Sequence, residues 1–127
     1  MAIHITSKSK SLSIKPTTKD ELRSIIEKEL EHQGPDADLN FIGTSKITDM
    51  SDLFVNLCPQ NIKIDEWDVS NVTDMSNMFY CCVWLECDLS GWDVSDAKSA
   101  ELMFFGCYIL DRHKPDFSLY NSQFKKL

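Results

Sequence analysis

The sequence predicts an α/β solenoid of about three coils behind an N-terminal capping helix. Three observations predict it. From residue 39 onward the chain repeats with a period of 25 residues. Within each unit apolar residues recur every two or three positions, which fits neither one amphipathic helix nor one alternating strand. Ahead of the repeat, residues 17–33 carry apolar side chains at helical spacing. A single coil cannot bury its own inner side chains, so stability requires a stack of coils protected at both ends. The chain accordingly divides into an arm at 1–15, a capping helix within 16–38, three units over 39–113, and a half unit with a C-terminal cap at 114–127.

In the arm, Ile3, Ile5, Leu12 and Ile14 alternate sparsely, and both a pair of short strands and a solvated basic arm carrying Lys8, Lys10, Lys15 and Lys19 fit the pattern. The helix is better marked. Thr18 and Glu21 form a capping box, in which the threonine accepts from a free amide and the glutamate reaches back. Leu22, Ile25, Ile26 and Leu30 share one face, whereas Glu27, Lys28, Glu29 and Glu31 face water. Gly34 and Pro35 end the helix.

The repeat is read most directly from Trp67-Asp68-Val69-Ser70 and Trp92-Asp93-Val94-Ser95. The run Thr48-Asp49-Met50-Ser51-Asp52-Leu53-Phe54 matches Thr73-Asp74-Met75-Ser76-Asn77-Met78-Phe79, and the third copy is Lys98-Ser99-Ala100-Glu101-Leu102-Met103-Phe104. Further columns are Leu39, Ile64 and Leu89; Ile47, Val72 and Ala97; Leu57, Cys82 and Cys107. Phe117, Leu119 and Asn121 continue the register of Trp67, Val69 and Asn71. Trp67 and Val69, with Asp68 between them, read as a short strand, useful only when stacked. Thr73-Asp74 ahead of an apolar turn reads as an N-cap, so each unit returns through one or two turns of helix. Trp67 and Trp92 then occupy an inward column as neighbours.

The run WDVSNVTDMSNMF resembles the BspA-like leucine-rich repeat of bacterial surface proteins and mycoplasma lipoproteins. PTTKDELRSIIEKEL followed by DADLNFI and ITDMSDLF is similar to the way arrays of that family begin. The resemblance covers about residues 16–107. It implies a right-handed leucine-rich-repeat-like solenoid that serves adhesion, recognition or protein interaction, with no catalytic residues. The first unit departs from the pattern at Ile42-Gly43, which replace Trp-Asp, and the third loses Thr-Asp; both changes suit terminal coils.

Net charge is −7 and unevenly spread. Residues 36–111 hold fourteen acidic side chains against Lys46, Lys63 and Lys98. Such a body repels nucleic-acid phosphates and suits a basic protein partner, or serves solubility alone. Met1 to Lys15 contains no signal-peptide core, and no stretch has the apolar length of a membrane span. The expected location is cytoplasmic, or the cell surface if the chain is a fragment of a longer exported protein. Five cysteines, an odd number, point to reduced thiols. Cys81, Cys82, Cys87 and Cys107 match no paired CxxC spacing, so neither a metal nor another cofactor is expected. His4, His32 and His113 stand near no orienting group, and no catalytic residue is expected.

The candidate binding surface is the face of the predicted strands. Glu66, Asp68 and Ser70, with Gly91, Asp93 and Ser95 one coil on and Gly43 and Ser45 on the other side, would align as an acidic, hydroxyl-rich stripe. The competing reading is a solvated face on which Asp68 and Asp93 bond neighbouring backbone amides. Trp84 falls out of step with the repeat, and is either an exposed anchor for a partner or packed on the next coil. These features suggest a non-enzymatic protein–protein interaction module. The alternative is a small acidic intracellular inhibitor of a nucleic-acid-handling enzyme, of the anti-CRISPR or other phage anti-defence type. A homodimer through an end or an edge is also open.

Overall fold

The computed structural model describes residues 14–118. Helix α1 (Lys19–Gln33) begins as its capping box dictates. The Thr18 hydroxyl accepts from the Glu21 N–H at 3.2 Å, and the Glu21 carboxylate accepts from the backbone N–H groups of Thr17 and Thr18. These bonds, led by the one from the Thr17 backbone, hold the Glu21 carboxyl below its ordinary range. Gly34, at φ 86°, ends the helix and returns its N–H to the Leu30 carbonyl. Leu22 and Ile26 are buried, and Ile25 and Leu30 pack beside them.

Beyond α1 the 25-residue units lie side by side, each bonded to the next through backbone groups. In the first unit the N–H groups of Met50, Asp52 and Phe54 donate to the carbonyls of Asp74, Ser76 and Met78 at 2.9 to 3.0 Å. In the second, Met75, Asn77, Phe79 and Cys81 donate to Ser99, Glu101, Met103 and Phe105 at 2.7 to 3.0 Å. Equivalent side chains therefore stack. The Trp67 and Trp92 rings lie 6.4 Å apart and nearly parallel. Phe54 and Phe79 are 5.0 Å apart, and Phe79 and Phe104 5.7 Å. Both indoles are buried, and each indole N–H donates to a carbonyl of the preceding unit, Leu39 or Ile64, at 2.9 Å. A buried indole without such an acceptor would be destabilising, so this column sets orientation as well as burial.

The predicted α/β solenoid, leucine-rich-repeat-like and right-handed, is not what forms. Among the described residues there is one α-helix, a single 3-10 turn at Asp111–His113, and no strand or sheet, only isolated parallel bridges such as Asp49 to Asp74 and Asp74 to Ser99. Trp67–Val69 is not a strand. The Trp67 N–H closes a turn onto the Ile64 carbonyl, and the Val72 N–H closes another onto Val69. Nor do the return stretches form helical turns. Backbone φ is positive at Asp52, Asn77 and Leu102 (60°, 56° and 57°), and again at Asn56, Cys81 and Gly106 (69°, 58° and 79°). Each trio is one column of the repeat. A left-handed residue interrupts any right-handed helix. Here alternate N–H groups donate across to the neighbouring unit instead of back along the chain. Asp74 is accordingly no helix cap. Its carboxylate accepts from the N–H and hydroxyl of Ser76, two residues on.

The first unit is closed by α1. Its carbonyls at Leu53 and Val55 are equivalent to those that accept from a preceding unit elsewhere in the stack. The Arg23 guanidinium donates to Val55 at 2.9 Å, to Asp52 at 3.2 Å and to Leu53 at 3.4 Å. Lys19 donates to the Ser51 hydroxyl at 2.9 Å and pairs with Asp49 at 3.4 Å. Burial opposes ionisation of Asp49, but the bonds from Ser51 and the Lys19 charge outweigh it and lower its pKa. The arm lies outside the described residues except for its end, where Ile14 bridges to Ile42.

Candidate interaction surface

Glu66, Asp68, Asp93 and Ser95 are exposed, as is Gly91, and Ser70 is half-buried. Gly43, expected on the same stripe, is instead buried, and its N–H donates to the Ile14 carbonyl at 2.8 Å. The aspartates of the stripe are engaged locally. One oxygen of Asp68 accepts from the Ser70 N–H at 3.0 Å and its hydroxyl at 2.6 Å, and Asp93 holds Ser95 at the same distances. Side-chain and backbone bonds from Ser95 lower the Asp93 pKa. The same Asp-x-Ser turn recurs at Asp49, Asp74 and Asp88. It is a turn device of this backbone wherever it stands. Both aspartates of the stripe remain exposed, so the stripe is acidic.

A second surface is aromatic. Trp84 is 64% exposed and Tyr108 73%, with their ring centroids 6.1 Å apart. Beside them an open cavity of about 280 Å³ is lined by Trp84, Leu85, Tyr108, Ile109 and Leu110, with Glu86 and His113 as its polar members. Next along the same units, exposed Phe105 stacks on Tyr80 at 5.3 Å. The backbone that presents these rings is held by cross-unit bonds, Tyr108 N–H to the Val83 carbonyl and Glu86 N–H to that of Gln60. Trp84 breaks register in the run Val83-Trp84-Leu85, and that break is the signal visible in the sequence. Phe105, Tyr108 and Leu110 gave no such signal, because an aromatic or leucine in a 25-residue column reads as core.

The model of one protein family, described as Mycoplasma protein of unknown function, DUF285, matches residues 24–125. The chain belongs to this family. No curated protein and no solved structure matches it. The family match takes in most of α1 and all three units of this DUF285 chain, the part in which both surfaces lie.

The thiols of this DUF285 chain divide by environment. Burial pushes Cys82 and Cys87 up to about 12, and raises Cys107 less far. Cys82 and Cys107 donate to the equivalent carbonyls of Phe54 and Phe79, at 3.5 and 2.9 Å. Cys58 and Cys81 are exposed. Among the described residues no helix is long and apolar enough to cross a membrane.

Proposed function

We propose that this chain is a protein-binding module without chemistry of its own, and that its contact surface is centred on Trp84 and Tyr108. The observation that carries this is the exposure of two large aromatic side chains over an apolar cavity, on a backbone tied to its neighbours. Exposed apolar patches with polar rims are where partners dock, and Trp and Tyr dominate binding energy at such sites. The rigid presentation lowers the ordering penalty on association. The acidic body, with Asp68 and Asp93 on its surface, favours a partner that is basic around an apolar anchor. The resemblance to repeats of BspA-like surface proteins points to the same class of role, adhesion or recognition.

The test is quantitative affinity capture from the source cell, with wild-type chain, a Trp84→Ala, Tyr108→Ala double variant and an Asp68→Lys, Asp93→Lys double variant. The aromatic variant should lose the specific partner. The charge variant should retain it, with altered salt dependence. A partner captured equally well by the aromatic variant would show that the surface lies elsewhere.

A further inference from the structure

The cavity beside Trp84 and Tyr108 is shared by two units. Trp84, Leu85 and Glu86 come from the second, and Tyr108, Leu110 and His113 from the third. In the 25-residue register, residues 119–127 correspond to 94–102, not to the positions that line the cavity. Leu85 and Ile109 are buried and Leu110 is 48% exposed, so most of the lining is apolar. The two exposed rings are tilted by 59°, with centroids 6.1 Å apart, and so meet as a corner and not as a platform. A flat group, such as a sugar face or a guanidinium, stacks on one of them only, whereas a rounded head touches both. Glu86 is the one carboxylate of the lining. It is exposed, and its side chain has no hydrogen bond or ion pair among the described residues. The cations nearby are matched elsewhere. Lys114 pairs with Asp111 at 3.0 Å, and Arg112 acts on Asp88, whose carboxyl is held low by bonds from Ser90 and then by the charges of His113 and Arg112.

We infer that this corner takes the N-methylated ammonium head of a lysine side chain on a partner protein, held against Trp84 and Tyr108 and by the charge of Glu86. The inference rests on the interaction-module reading and names the group that the surface recognises. A cation over an aromatic face is attracted by the ring quadrupole, most strongly by that of Trp. The chain uses the same attraction internally, where Lys114 Nζ lies 5.5 Å over the Phe104 ring. Methylation follows from the accounting of hydrogen bonds. An unmodified ammonium brings three N–H donors, and the lining offers Glu86 and His113 as its polar side chains among apolar walls. Each methyl group removes a donor and keeps the charge. The lysine stem then lies along Leu85, Ile109 and Leu110, as long cationic side chains do on apolar surface. A choline headgroup has no such stem. Fourteen acidic side chains against three lysines over residues 36–111 draw a cationic segment toward the molecule.

The experiment is an NMR titration of the full isotope-labelled chain, read at the indole N–H of Trp84. The indoles of Trp67 and Trp92, bonded within the core, serve as the reference. The ligands are N-acetyl-trimethyllysine methylamide, its neutral isostere with carbon in place of the ammonium nitrogen, and choline. The trimethyllysine compound should shift Trp84 saturably, with a dissociation constant of roughly a millimolar. The isostere should bind about tenfold more weakly, and choline several-fold more weakly. Glu86→Gln should weaken binding about threefold to tenfold, and Tyr108→Ala should abolish it while the Trp67 and Trp92 signals stay in place. An isostere that binds as tightly as the cation would make this an ordinary apolar pocket and overturn the inference. So would choline binding as tightly as the lysine derivative, which would assign the corner to a headgroup or a free amine, or the absence of a saturable shift at tens of millimolar ligand. If the cation fails while partner capture still depends on Trp84 and Tyr108, the recognised group alone is wrong; if capture also loses that dependence, the module's proposed surface is wrong as well.

Discussion

Replacing Arg23 tests the proposition that one side chain closes the first unit. Its guanidinium reaches three carbonyls of the first unit's return stretch, of which the bond to Val55 at 2.9 Å is the shortest and is part-buried. A hydrogen bond to a charged group contributes roughly 1.5–3 kcal/mol, and removing the donor leaves the acceptor unsatisfied. The bond to Asp52 is exposed and that to Leu53 is long at 3.4 Å, so neither adds much. The ion pair with Glu27 joins a half-buried Arg23 to an exposed carboxylate and adds at most a few tenths of a kcal/mol. Arg23→Met should therefore destabilise by about 2 kcal/mol, or roughly 6–10 °C in Tm for a domain of this size. Arg23→Lys keeps the charge but not the fork, and should recover less than half of the loss. Glu27→Gln should be nearly silent. Urea denaturation followed by tryptophan fluorescence reads all three, because Trp67 and Trp92 are buried in the same core. The reasoning fails if Arg23→Lys is as stable as the parent, or if Glu27→Gln is as damaging as Arg23→Met.

The glycines offer a paired test. A methyl group on Gly106 meets Cys81 Sγ at 3.2 Å and its Cα at 3.3 Å, at φ 79°, so Gly106→Ala should destabilise by roughly 1–2 kcal/mol. Gly91 has open space and an ordinary φ, so Gly91→Ala should be neutral or stabilise by up to about 1 kcal/mol in the same denaturation assay. Alkylation at pH 8 with mass-spectrometric counting should label Cys58 and Cys81 quickly and leave Cys82 and Cys87 unmodified until the chain unfolds. Asp88, Asp93 and Asp116 have folded pKa values below their ordinary 3.8. Their contribution is therefore full above that value and is lost as pH falls through the lowered ones. Ser95→Ala should move the Asp93 carboxyl back up toward 3.8 in an NMR titration; an unmoved Asp93 would refute the turn as the cause.

Helix α1 was legible because its signals are local. Thr18, Glu21 and Gly34 act within one turn of where they stand, and the boundaries Lys19–Gln33 follow from them. The pairing of Trp67 with Trp92 was legible because two indoles in one column have one efficient way to be buried. The class of fold was not. Asp-x-Ser reads equally as a helix cap or as a self-contained turn, since both use the same carboxylate-to-amide bond. The decisive feature is the left-handed backbone at two columns. Asn77, Asn56 and Gly106 hint at it, but Cys81 and Leu102 stand at the same positions and hide the hint. For the surface, Asp68 and Asp93 were legible as exposed acids, and Trp84 as a residue out of register. Tyr108 and Leu110 were not, because periodicity places a residue in a column and does not say whether a further layer covers it.

Leu102 connects backbone strain to the surface. The column places Asp52 and Asn77 at φ 60° and 56°, residues whose short polar side chains tolerate the left-handed region, and Leu102 adopts φ 57° without that tolerance. A leucine there forfeits about 1 kcal/mol relative to asparagine. Half of its side chain is in water, so its burial returns only about 1 kcal/mol. Leu102→Asn should accordingly leave stability within about 0.5 kcal/mol of the parent, the two terms cancelling. The variant should melt at the same temperature as the parent. A loss of about 2 kcal/mol or more in stability would mark Leu102 as a core residue of the free chain.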